Sequence, residues 1–152
     1  MKFRTLATCS ALAGILLLFS TAALAVIAVT APWVRPTPER TATEAYLRIT
    51  STEDATLKEA KSALATSVVL RAAGSGSRIL PQLALPAGVP VVLAPEGVRL
   101  VLRGLAHPLA VGERVPLLLI IEAADGSRHE ISVSAEVRVR PPADDERRAR
   151  PR

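Results

Sequence analysis

The chain has 152 residues, 19 basic and 14 acidic side chains, a formal net charge of +5 and only 3% aromatic residues. So mild a charge excess, with so few rings, excludes a nucleic-acid interface built on phosphate neutralisation and base stacking. Cys9 and Met1 are the only sulfur-bearing side chains. They exclude a disulfide framework and leave everything after residue 9 without a thiol or thioether.

Met1-Lys2-Phe3-Arg4 is a short positive start, and residues 5–34 carry no charge. Ala23-Leu24-Ala25 fits a small-x-small cleavage site, so residues 1–25 read as a secretory signal peptide. Val26-Ile27-Ala28 is a second cleavage option. An uncharged run of this length also exceeds the ~20 residues that cross a bilayer, so an uncleaved anchor in the inner membrane is the alternative to a released periplasmic protein. Cys9 precedes the apolar stretch, whereas a lipoprotein cysteine follows it. Loss of Lys2 and Arg4 leaves 17 basic against 14 acidic residues, a net of +3.

The remaining ~125 residues suit one domain with its own core. Trp33 and Tyr46 are expected in that core or at its edge. Lys58-Glu59-Ala60-Lys61 admits one helical turn, and nothing supports a long helix. Turn signals recur at Gly74-Ser75-Gly76, Pro86-Ala87-Gly88 and Pro95-Glu96-Gly97. Val98, Leu100 and Leu102 alternate with Arg99, Val101 and Arg103, the period of a half-buried strand. Residues 115–121 are continuously apolar, with Pro116 where a strand beginning tolerates it. Ala124-Asp125-Gly126-Ser127 reads as a hairpin turn. Ile131, Val133, Ala135, Val137 and Val139 then alternate with polar residues. Short strands separated by regular turns predict an all-β sandwich over residues 29–140. Residues 141–152 offer nothing larger than Ala to bury after two prolines, and read as a solvated, disordered charged tail.

No motif for catalysis emerges: there is no Ser-His-Asp arrangement, no acidic pair and no Gly-rich phosphate loop, so a non-enzyme is expected. His107 falls in a loop and His129 at the opening of the last strand. Two histidines with nothing to bring them together are expected to be surface residues rather than metal ligands.

Seven segments, in order, resemble the periplasmic copper chaperones of the PCu(A)C family. These are Pro32-Trp33-Val34-Arg35, Thr43-Glu44-Ala45-Tyr46-Leu47, residues 54–57 with 62–70, Leu85-Pro86-Ala87-Gly88, Pro95-Glu96-Gly97 with Gly104-Leu105 and Pro108-Leu109, residues 112–121, and residues 131–137. The resemblance implies a cupredoxin-like Greek-key sandwich. It also implies a binding protein that delivers Cu(I) to cytochrome oxidase, with an oxidase assembly factor or another periplasmic protein as partner. Contact with a membrane is expected only if the N-terminal segment stays uncleaved. The family's His and Met ligand positions fall on Arg71, Ser77 or a neighbour, Arg99 and Val101. Cu(I) favours thiolate, thioether and imidazole donors, so no metal cofactor is expected here and the site reads as degenerate. On this alignment Arg71, Arg99 and Arg103 lie together at one rim. They are the candidates for binding a small anion or an acidic protein, since guanidinium groups grip oxyanions in bidentate fashion.

Overall fold

The computed structural model describes residues 24–74, 76 and 78–142. The signal-peptide reading thus lies outside the described residues except for Leu24 and Ala25, and so do Ser77 and all of the tail beyond Pro142. Ten strands follow one another: β1 (Ile27–Val34), β2 (Ala42–Ser51), β3 (Ala55–Lys61), β4 (Ala65–Arg71), β5 (Ile79–Leu80), β6 (Leu83–Leu85), β7 (Val91–Leu93), β8 (Arg99–Leu105), β9 (Arg114–Ala123) and β10 (Arg128–Val137). They form one sheet in the order β5-β4-β8-β2-β1-β10-β9-β3-β6, with β7 on the far half of β2. Consecutive strands pair in β1–β2, β4–β5 and β9–β10, while β8–β2, β4–β8, β1–β10 and β3–β9 join strands distant in the chain, as a Greek-key path requires. The sheet rolls over on itself, so that its two halves bury one shared apolar face.

That face holds every second residue of each strand. Leu47 and Ile49 from β2, Leu100 and Leu102 from β8, and Leu119 and Ile121 from β9 meet in one buried cluster. The β10 alternation is present from Ile131 to Val137, but Val139 lies past the strand and is 69% exposed. The parallel ladder to β1 runs one bond past the end of the strand, Arg138 N donating to Val34 O at 2.9 Å. Residues 58–61 are strand, not helix: Glu59, Ala60 and Lys61 pair with Ile120, Leu119 and Leu118, and a bulge between Leu57 and Glu59 absorbs Lys58.

The β9–β10 hairpin closes as expected. Gly126, at φ 83°, takes the left-handed conformation, and Asp125 Oδ1 accepts from the Ser127 amide at 2.8 Å. Pro116 faces Ser134 on β10. The partner on its other side, β3, already ends opposite Leu118, so the missing amide breaks no ladder.

Candidate functional site

The outer face of the β4–β8–β2–β1 half carries the residues that matter for function. Residues two apart share a face, so Arg99, Val101 and Arg103 project outward while Leu100 and Leu102 point into the core. On β4, Arg71 stands directly opposite Arg99, Val69 opposite Val101, and Ser67 opposite Arg103. On β2, Glu44 stands opposite Val101 and Ala42 opposite Arg103. One further step across the sheet pairs Tyr46 with Trp33. Arg71 and Arg99 are brought together, and Arg103 lies two positions beyond Val101, half-exposed.

Like charges directly opposite one another on a sheet destabilise it unless something intervenes. Glu44 intervenes. Its Oε1 lies 2.9 Å from Arg99 Nε, its Oε2 accepts the Tyr46 hydroxyl, and Arg35 approaches Oε2 at 4.0 Å. Arg99 also reaches the Ala72 and Gly97 carbonyls, each at 3.4 Å. One guanidinium therefore ties β8 to β2, to the segment after β4 and to the turn before β8. Its side chain retains only 15% exposure.

Trp33 and Tyr46 are buried, as the sequence leads one to expect, but outside the main apolar cluster. Their rings meet on the outer face, centroids 4.6 Å apart and planes tilted by 38°, and the Arg35 guanidinium lies 5.8 Å from the Tyr46 centroid. A register shift between Thr30 and Trp33, with Ala31 at φ 49°, re-aims β1 so that Trp33 meets Tyr46. Burial, and then the hydrogen bond and charge of Glu44, hold the Tyr46 phenol well above its ordinary pKa, while Arg35 and Arg99 pull the other way. Tyr46 therefore stays a neutral donor to Glu44. Beside it, a hollow of about 400 Å³ opens between Arg35, Thr43, Glu44, Ala42 and Val101.

Glu44 is the functional residue that sequence reasoning missed. It lies in the quoted Thr43-Glu44-Ala45-Tyr46 strand, and the alternation puts it opposite in facing to Ala45. Its pairing with Arg99 depends on cross-strand register, which no local signal carries. A guanidinium is a cation without a metal-binding lone pair, and valine offers no donor at all. Arg71, Arg99 and Val101 therefore do not fit Cu(I), whose preference is for soft donors.

The two histidines lie elsewhere and apart. His107 Nδ1 is 2.7 Å from the Pro108 carbonyl and 3.8 Å from Glu113 Oε2, and His129 Nε2 is 3.1 Å from Ser127 Oγ. Among the described residues, no group of three His, Cys, Asp or Glu side chains is placed to hold a metal.

Comparison with known proteins agrees with this frame. The copper-bound PCuAC domain from PmoF2 is 25% identical, with a TM-score of 0.63 over 75% of this chain and 93% of that one. The Cu(I) form of DR1885 from Deinococcus radiodurans is 30% identical, with a TM-score of 0.56 over 74% of this chain and 76% of that one. The apo PCuAC domain from PmoF1, 21% identical with a TM-score of 0.65 over 75% and 94% of the two chains, shows the shared fold alone. No curated protein matches the chain. The LpqE-like lipoprotein family model matches residues 27–137, which span all ten strands. The chain belongs to the LpqE-like family and is a divergent member of the PCuAC-type, copper chaperone-like domains.

Proposed function

We propose that this domain is an exported, non-enzymatic PCuAC-type protein in which an ion-paired arginine has replaced the copper site, and that it acts by binding a protein partner rather than by carrying Cu(I). One observation carries the reading. Where the family resemblance puts two histidines, Arg71 and Arg99 face each other, and Arg99 is held by Glu44, Ala72 and Gly97. Val101 takes a methionine position, and no sulfur follows Cys9 anywhere in the sequence. The partner expected from the family's role in cytochrome oxidase assembly is an assembly factor or another periplasmic protein.

Competition for Cu(I) against a chromogenic chelator tests this. The chain should leave the metal with the chelator. One equivalent retained at sub-nanomolar affinity sinks the reading. Arg71→His, Arg99→His and Val101→Met, combined with Ser77→Met, should restore measurable binding.

The pairing of β1 favours cleavage after Ala25 over cleavage after Ala28. Val26 exchanges hydrogen bonds with Thr52, its amide reaching Thr52 Oγ1 at 2.9 Å and its carbonyl receiving the Thr52 amide at 3.0 Å. Cleavage after Ala28 would remove Ile27 and Ala28 from β1 and their pairing with Ser51 and Thr50. Mass spectrometry of the exported protein should give a chain starting at Val26. Recovery of the intact chain from membranes would establish the anchored alternative.

A second reading rests on the grouping of Arg71, Arg99 and Arg103 on neighbouring rungs of β4 and β8. Glu44 engages Arg99 and approaches Arg35, while Arg71 and Arg103 flank a floor of Val69 and Val101. This surface suits a carboxylate or another oxyanion supplied by a partner.

A further inference from the structure

The rolled sheet stops just short of closure between β3 and β4. β3 bonds β9 on one side and, on the other, bonds β6 only over residues 55–57. β4 bonds β8 on one side and, on the other, bonds β5 only at Leu70 and Arg71. Among the described residues, the edges 58–61 and 65–69 therefore have no strand partner. Between them lies a hollow of about 290 Å³, whose walls include Glu59, Lys61, Ser62, Ala65, Ser67 and Val68.

The two edges differ in kind. Residues 58–61 read Lys-Glu-Ala-Lys and follow a bulge; lysines and bulges are the usual devices that keep an edge from recruiting another strand. Residues 65–69 read Ala-Thr-Ser-Val-Val. They hold no charge, no proline and three β-branched side chains, the composition of a strand that accepts another. The backbone is oriented for it. Ala72 N donates to Arg78 O at 2.9 Å, on the side away from β8. Residues of the same parity in a strand turn their amide and carbonyl to the same side. Thr66 and Val68 therefore present theirs to the gap.

The chemistry beside this edge selects an acidic guest. Arg71 continues β4 at its upper end, and Arg103 stands opposite Ser67 one strand away. Glu59 and Lys61 on the far wall are 3.4 Å apart and offset each other. We propose that residues 65–69 of β4 form a strand-acceptor edge for an extended acidic segment of a partner protein. About five residues of that segment, spanning ~17 Å, would bond Thr66 and Val68 through their backbone and direct carboxylates towards Arg71 and Arg103. The proposal rests on the partner-binding reading of the arginine face and adds where and in what conformation the partner binds. A second copy of this chain is the poorer occupant, because the matching edge it would offer, residues 65–69, carries no carboxylate for Arg71 and Arg103.

An amide chemical-shift titration at low salt tests it, with a peptide alternating Val and Glu as probe. Two control peptides accompany it: one N-methylated at alternate residues, the other with Lys in place of Glu. Saturable shifts centred on Thr66 and Val68 are expected, with at least a tenfold loss of affinity for either control. If the N-methylated peptide binds as well as its parent, the strand-acceptor edge is overturned, while an acidic partner for the arginine face still stands. If the Lys peptide binds equally, or neither peptide binds, the acidic-partner reading falls with it. The same Thr66 and Val68 shifts appearing without peptide, on raising the protein concentration, would identify a second copy as the occupant and overturn the choice made here.

Discussion

The β9–β10 hairpin and the β4–β8–β2 face are built from the same alternating strands, yet different information determines them. In the hairpin the partners are neighbours in the chain, and a four-residue turn sets the register from Arg128 opposite Glu122 through Glu136 opposite Arg114. On the face, Arg71, Arg99 and Glu44 come from three strands separated by long connections, and their meeting depends on how the whole sheet rolls. On the hairpin, β10 turns serine and glutamate out to water, while β9 turns out Pro116, Leu118 and Ile120 between Arg114 and Glu122. The outward residues of the face have become a second buried layer, with Trp33 and Tyr46 beneath arginines. Local pattern is enough for the first arrangement, and only the assembled fold produces the second.

Deleting buried volume on each side should show the contrast most strongly. Leu119 is fully buried in the shared core. Leu119→Ala should cost about 2–5 kcal/mol, the range for emptying a well-packed core site. Val101 is also buried, but under side chains of the outer face that can settle into the gap. Val101→Ala should cost under about 2 kcal/mol, from two lost methyl groups. Urea unfolding of both variants measures the difference. Equal costs would mean that the outer layer is packed as tightly as the core.

Next in size is the clamp. Arg99→Ala leaves Glu44 without its 2.9 Å partner and releases the Ala72 and Gly97 carbonyls. A hydrogen bond to a charged group is worth about 1.5–3 kcal/mol, so a loss in that range is expected. A double-mutant cycle with Glu44→Gln should recover much of it as coupling. Hydrogen exchange should quicken at Ala72 and Gly97 and stay unchanged in the Asp125–Ser127 turn. Faster exchange at the turn as well would show that the two regions are not independent.

The same division explains what could be read in the sequence. The alternation at 131–137, the Asp125-Gly126 turn and the apolar run at 115–121 each announce a strand or a turn within ten residues, and each is present. Lys58-Glu59-Ala60-Lys61 has good helix formers, but pairing with β9 overrides that local preference. The period of two places Arg99, Val101 and Arg103 on one face, whereas Arg71 opposite Arg99 followed only from the family resemblance. Glu44 was invisible as a partner, because nothing between residues 44 and 99 reports which rung of β8 it meets.

Tyr46 sharpens the comparison through pH. Its folded pKa is raised, so the protonated phenol is the form that the fold favours. That contribution is fully present below the unfolded value of ~10 and is lost as pH rises towards the higher folded value. Urea midpoints should therefore fall between pH 9 and 11 in the native chain. Tyr46→Phe should remove this alkaline component and cost about 1.5–3 kcal/mol at neutral pH, the range for a hydrogen bond to a charged group. If the alkaline slope is unchanged in Tyr46→Phe, then Tyr46 is not its source.

The smallest effect belongs to the hairpin and has the opposite sign in pH. Asp125 is fully exposed, yet its carboxyl is held below the ordinary value, first by the Ser127 hydroxyl at 2.6 Å and then by the Ser127 amide at 2.8 Å, with His129 adding a weaker pull. The folded state favours the carboxylate. Its contribution is present above the unfolded value of ~3.9 and disappears as pH falls through the folded pKa. Asp125→Asn keeps an acceptor and removes the charge, so it should lower the melting temperature slightly at pH 6 and not at all once both chains are below that pKa. Carboxyl carbon shifts give the titration directly, and a midpoint at or above the ordinary aspartate value would contradict the turn geometry. The same variant should leave the Arg99–Glu44 clamp and any partner binding at β4 unchanged, because the turn draws its stability from three consecutive residues and the face draws its own from strands that meet only in the finished sheet.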